Sequence, residues 1–219
     1  MKKLSFILAL LVSSMLFAQD FEGTIKYEIN YEDLTEEMKA HASMLPDGFK
    51  IEVDKEMSKV TQPSPMGGNP TVAISNQKTG ESLTLMDVMG QKLALKISGE
   101  EKKEMEEKSE GDVDIKYIDG DEKEIAGYNC KKAILETKDG SEITIYYTED
   151  LPNIDVSDQA SGIKGFPMEI TTVTDMFTTI TRVITIEEGK VDKIKMEVPE
   201  GYDEVSMEEF KKMFGGMGL

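Results

Sequence analysis

Phe21-Glu22-Gly23-Thr24-Ile25-Lys26-Tyr27-Glu28-Ile29-Asn30-Tyr31 is the stretch that decides the fold class. Its odd positions are aromatic, aliphatic or glycine, and every even position is polar or charged. A period of two belongs to a strand with one face on a core and the other in water. Isoleucine and tyrosine also fit a pleated, half-buried surface better than a helix.

The pattern persists C-terminally. A helix is expected over 34–45, because Asp33 and Glu36 have N-cap and N3 spacing and Leu34, Met38, His41, Ala42 and Leu45 share a stripe. Pro46-Asp47-Gly48 ends it. Short strands follow at 49–53, 59–62, 71–76, 82–88 and 92–97, separated by turn-forming residues at 63–70, 79–80 and 90–91. Residues 100–110 are almost all charged and read as an exposed helix or a disordered insertion. Strands resume at 112–118, 128–136, 142–147, 166–173, 177–186 and 191–198. Glu188-Gly189 looks like the turn of a closing hairpin. Ser206 and Glu209 form a capping box for a last helix, where Met207, Phe210, Met213 and Phe214 share a face.

These elements predict a mainly β (α+β) chain. It would form one strongly curved antiparallel sheet, or open half-barrel, of about ten strands, with two or three short helices covering part of the concave face. No repeat and no long linker divides it, so 19–219 reads as one domain.

Ahead of it, Lys2 and Lys3 precede an apolar run from Leu4 to Phe17, and Ala18 is a small exit residue. This is the pattern of a cleavable signal peptide over 1–18, placing the mature chain in the periplasm or outside the cell. The run is shorter than the roughly 20 residues a spanning helix needs, so no transmembrane segment is expected after cleavage.

Composition narrows the chemistry. With 43 Asp+Glu against 25 Lys+Arg and a net charge of −18, the surface repels phosphate backbones, so nucleic acid is not an expected partner. His41 and Cys130 are the single histidine and cysteine, on unrelated segments, which is poor material for a nucleophilic dyad or a zinc site. Asp112, Asp114, Asp119 and Asp121 invite a calcium reading. Counted from Asp119, however, the sixth position of an EF-hand loop is Glu124 rather than glycine. No phosphate-binding glycine loop and no G-x-S-x-G occurs. No catalytic residue, metal or cofactor is expected, and the chain reads as a non-enzyme. Cys130 has no partner for a disulfide and should be a buried thiol.

Methionine is abundant, with 15 in the chain. Its flexible, polarizable side chain fills irregular cores and also lines surfaces that adapt to varied apolar shapes. Ten strands would expose more apolar face than two short helices can hide. A bound chain filling an open sheet and a closed, self-filled barrel both answer that deficit. The candidate ligand-lining residues are Met38, Met86, Tyr128, Tyr147, Met168, Phe210 and Met213.

Four stretches carry a resemblance: Ile125-Ala126-Gly127-Tyr128-Asn129-Cys130-Lys131-Lys132-Ala133, Tyr146-Tyr147-Thr148, Gly165-Phe166-Pro167-Met168-Glu169-Ile170, and Val198-Pro199-Glu200-Gly201-Tyr202. Their order resembles exported, uncharacterised proteins of Gram-negative bacteria, the GLPGLI family and a sister family, domain of unknown function family 4412. Phe166, Met168 and Glu169 depart from the GLPG turn, and the Val198–Tyr202 ending sets the chain closer to the sister family. The resemblance implies a half-barrel similar to that of periplasmic lipoprotein carriers, and it carries over no catalytic residue. The expected function is non-enzymatic binding of an apolar ligand, a lipid or acyl chain, in the sheet's concavity. The alternative is an envelope protein-interaction module using a sheet edge or the C-terminal helix. Within the motifs, Gly127 and Gly201 sit where turns favour positive φ, and Pro167 in a strand-like run points to an edge or a bulge.

Overall fold

The alternation of residues 21–31 becomes strand β1, Gly23–Glu32, and it lies at the middle of the sheet rather than at an edge. The computed structural model describes residues 21–214 apart from 66, 89, 110–112, 138–141, 153, 155–159 and 161. The segment read as a signal peptide lies outside the described residues. From β1 the chain meanders outward through β2 (Gly48–Asp54), β3 (Met57–Gln62), β4 (Thr71–Asn76), β5 (Ser82–Val88) and β6 (Gln91–Ile97). Helix α2 (Gly99–Ser109) leads to the far edge. There β7 (Val113–Ile125), β8 (Tyr128–Thr137), β9 (Glu142–Thr148), β10 (Phe166–Val173) and β11 (Thr178–Glu188) meander back until β11 pairs with β1. A three-residue strand, β12 (Asp203–Val205), adds parallel to β6. The order across the sheet is β12-β6-β5-β4-β3-β2-β1-β11-β10-β9-β8-β7. It is one large open curved sheet, as expected for a strongly curved sheet or half-barrel, and the closed barrel that the alternation also allowed is not formed.

The connection from β6 to β7 requires the curvature. Ten strand spacings separate them in the sheet order, which is about 48 Å if flat. The 11 residues of α2 rise about 16 Å, and four flanking residues reach at most about 14 Å more. A linker of about 30 Å joins the two strands only if the sheet curls. The charged stretch is therefore a polar strap from β6, next to one edge, to β7 at the other, started by a Ser98–Glu101 capping box.

Three elements differ from expectation. The helix over 34–45 is a five-residue α1 (Glu36–Ala40) and a 3-10 turn at Ala42–Met44. Asp33 takes a left-handed conformation (φ 54°) to leave β1, so Thr35 caps the helix and accepts from the Met38 amide at 3.3 Å. Residues 191–198 alternate in burial as expected but pair with no strand. Their apolar side chains Met196 and Val198, with Tyr202, instead pack on Leu83, Leu85 and Ala94. Alternation reports one buried face, and a covering segment satisfies it as well as a ladder does. The helices also do not supply the main cover: α1 has no buried residue.

The cover comes from the described residues of the connection 149–165. Leu151 and Ile154 join the cluster of Phe21, Ile25, Tyr27, Ile51, Cys130, Phe166 and Met168. Ile163, with Ala160 half-buried beside it, packs on Ala133, Leu135, Ile145, Tyr147 and Ile170. Pro167 marks a register shift between β10 and β9, so it sits at a bulge. Gly127 and Gly201 both have φ of 86°. The last helix, α3 (Met207–Phe214), has the expected box: Ser206 Oγ accepts from the Glu209 amide at 3.2 Å, and Glu209 accepts from the Ser206 amide at 2.9 Å.

Candidate functional site

Antiparallel pairing sorts side chains onto two faces. Ile25, Tyr27, Ile29 and Tyr31 share one face with Phe49, Ile51 and Val53 of β2 and with Val183 of β11. Ile170, Ile143, Ile145, Tyr147, Ala133, Leu135 and Tyr117 continue it toward β7. On the opposite face run ion pairs: Lys50 and Lys59 with Glu52 (3.1 and 3.3 Å), Lys123 and Arg182 with buried Glu169, and Lys132 with Asp121 (3.0 Å). Asp121 also accepts from Tyr146 at 3.0 Å, and these hydrogen bonds from Lys132 and Tyr146 hold its carboxyl below the usual range. Asp121, one of the acids in the calcium-like run, is thus engaged in the polar ladder. Among the described residues no cluster of acids, histidine and cysteine is arranged to hold a metal ion.

The two ends of the sheet differ. One carries the connections 55–56, 77–81, 126–127 and the cover 149–165; the other carries 33–47, 63–70 and 174–177. Along the Ile25 face of β1, β2 and β9, burial falls from the first end to the second, while Leu135 of β8, opposite Ile143, stays buried. Ile25, Tyr27, Ile51, Val53, Ile145, Tyr147 and Val183 are buried, whereas Ile29, Tyr31, Phe49 and Ile143 on the same strands are half-buried. The covered end is closed and the other is open. The Tyr27 and Phe49 rings stack at 4.5 Å across the transition, and Tyr31 meets Phe177 edge-on at 5.6 Å at the open end.

Beyond β3 the core changes sides. Ala73, Ser75, Ser82 and Thr84 occupy the Ile25 face, while Ile74 is buried on the other face, where Leu83, Leu85 and Ala94 lie beneath Met196, Val198 and Tyr202. In β6 both sides are buried, with Leu93 and Leu95 on the Ile25 face and Ala94 behind them.

The seven sequence-selected residues do not converge on one place. Tyr128 and Met168 pack into one cluster near the closed end, and Tyr147 lies in the neighbouring cluster under Ile163. Met86 is half-buried on the Ile25 face of β5, opposite Leu93. Met38 is half-buried in α1 at the open end. Phe210 and Met213 lie on α3, which contacts β6 at the sheet edge. Composition missed Ile29, Tyr31, Phe49, Ile143 and Phe177. Their signal was the β alternation itself, which does not tell which end of a strand is covered. Cys130 is fully buried, donates to the Tyr128 carbonyl at 3.4 Å, and has its thiol pushed up to about 11 by burial.

A family model, Domain of unknown function (DUF4412), matches residues 21–158, more than half of the chain. The chain belongs to the DUF4412 family. The matched span ends within the cover, so β10 and β11, which complete the DUF4412 sheet against β1, lie beyond it. No curated protein matches the chain. Among solved structures, an uncharacterized conserved protein from Thermus thermophilus has a TM-score of 0.50 and 7% identity, over 86% of this chain and 93% of that one, a likeness of fold alone. Looser likenesses are to LprF from Mycobacterium bovis (TM-score 0.33, 11% identity, 85% and 95% covered) and to the Mycobacterium tuberculosis lipoprotein LppX (0.35, 5%, 82% and 92%). No described helix of this DUF4412 protein is long and apolar enough to cross a membrane.

Proposed function

We propose that the protein is an exported, non-enzymatic binder that takes an apolar ligand, a lipid or acyl chain, onto the Ile25 face from its open end. The observation carrying this reading is the burial gradient. The apolar side chains of this face are covered at one end by Leu151, Ile154 and Ile163 and left half-covered at Ile29, Tyr31, Phe49 and Ile143 at the other, where Thr172, Thr179 and Thr181 lie between them. An acyl chain laid there gains about 0.8 kcal/mol per buried CH₂ before the costs of binding are subtracted. Of the sequence-selected residues, half-buried Met38 and Met86 are our candidates for the entry, since both lie toward the open end. Tyr147 and Met168 stand deeper, where a ligand would reach them by displacing the cover.

The test is titration with a fluorescent fatty acid while thermal unfolding is followed. Saturable binding with a raised unfolding midpoint supports the reading. Probe uptake that never saturates, with an unmoved midpoint, removes it.

A further inference from the structure

The open end carries exposed apolar side chains among acids, Met44 and Met176 on its two joined connections and Val173 on the opposite face of β10. Met44 is 49% exposed, Met176 51% and Val173 61%, while Leu34, Met38, Leu45 and Phe177 are half-buried nearby in sequence. Two connections are drawn together here: the Thr35 amide donates to the Met176 carbonyl at 3.0 Å, and the Tyr31 hydroxyl donates to the Pro46 carbonyl at 3.0 Å. The Tyr31–Phe177 ring contact closes the same junction. Between Glu32 and Asp47 the chain has five carboxylates, Glu32, Asp33, Glu36, Glu37 and Asp47, against one lysine, Lys39, which is paired with Glu36 at 2.7 Å. Asp175 adds another acid beside Met176. Asp47 lies close enough to the Tyr31 hydroxyl to push it up, second to burial.

The geometry points to a docking surface at this end for a basic amphipathic segment of a partner protein, whose apolar side chains seat on Met44 and Met176 and whose Lys or Arg side chains meet Glu32, Asp47 and Asp175. Charge selects this occupant. A second copy of the chain would bring the same acids face to face, and the net charge of −18 adds to that repulsion. A membrane surface dense in anionic headgroups is repelled by the same field, a repulsion summed over many charges and far larger than that on the single carboxylate of one fatty acid. Methionine suits the apolar part, because its unbranched side chain repacks against different partner shapes. The inference does not depend on the Ile25 face being occupied, and its probe differs from the fatty acid that tests that reading.

The probe is a labelled leucine/lysine peptide patterned as an amphipathic helix, titrated against the whole mature chain. Binding is expected to be saturable and to weaken as salt rises. The exposed-site variants Glu32→Gln/Asp47→Asn/Asp175→Asn and Met44→Ser/Met176→Ser should each bind about tenfold more weakly with unchanged unfolding midpoints. Any of three results would overturn the docking surface: equal binding of a leucine/glutamate peptide, unchanged affinity in either variant, or preference for phosphatidylglycerol or phosphatidylcholine vesicles over the peptide.

Discussion

The Tyr27 hydroxyl donates a 2.6 Å hydrogen bond to the carbonyl oxygen of Pro167. It ties the central strand to the bulge where β10 re-enters from the cover, and both groups are buried. Tyr27→Phe keeps the ring on Phe49 but removes the side-chain donor to that buried carbonyl, at a cost of about 1–3 kcal/mol. A lower urea midpoint with an unchanged m-value is the expected result. An unchanged midpoint would mean that the bond contributes nothing net.

Gly165 closes the cover. A Cβ there would stand 2.3 Å from the Thr148 carbonyl oxygen, so backbone must move to admit one. Gly165→Ala should cost on the order of 1–3 kcal/mol and expose 149–165 to limited proteolysis before any site in β1 or β11 is cut. Digestion patterns of variant and parent check this directly.

Much of this architecture was legible in the residues and some of it was not, for identifiable reasons. Strands 71–76, 82–88 and 166–173 were read with their observed bounds, because each alternates between turn-forming residues. Val191–Val198 alternates too, yet it is a cover, since a hydropathy pattern does not distinguish a ladder from a packed extended segment. Asp203–Val205 is too short and polar to announce itself as β12. The cover 149–165 has no period at all, so its role emerges only where Leu151, Ile154 and Ile163 land. The same gap governs the site. Methionines can be counted from sequence, but the decisive property is which end of β1 is sealed, and Ile25 and Ile29 are the same residue type in the same alternation.

Cys130 should behave as a core thiol. Burial pushes it from 9.0 to about 11, which lowers the thiolate fraction at neutral pH about a hundredfold. Labelling by a thiol reagent should be slow in the native protein and rapid in denaturant. Native labelling at the denatured rate would contradict the packing of Cys130 beside Phe166 and Met168.

Acid should destabilise the fold through two groups on the polar face. Burial raises Glu52, but Lys50 and Lys59 outweigh it and leave the carboxyl below its usual value. Asp121 is lowered by the hydrogen bonds from Lys132 and Tyr146. A folded-state value below the unfolded one means that the unfolded chain binds more protons in between. Their stabilisation is therefore present above the unfolded value and is lost as pH falls through the folded one. Urea midpoints should decline below about pH 4.5, and Glu52→Gln with Asp121→Asn should flatten the decline. An unflattened profile would place the acid sensitivity elsewhere.

Site-specific quenching reads out the proposed entry of an apolar ligand at the open end of the Ile25 face. The chain has no tryptophan, so one introduced indole reports alone. Phe49→Trp places it half-buried at the opening, and Ile184→Trp places it at an exposed position of β11. A fatty acid brominated on its chain should quench the fluorescence of Phe49→Trp saturably, and unbrominated fatty acid should reverse this by competition, while Ile184→Trp stays unquenched. Equal quenching of both variants, or none in Phe49→Trp at concentrations that saturate the fluorescent probe, would contradict the account.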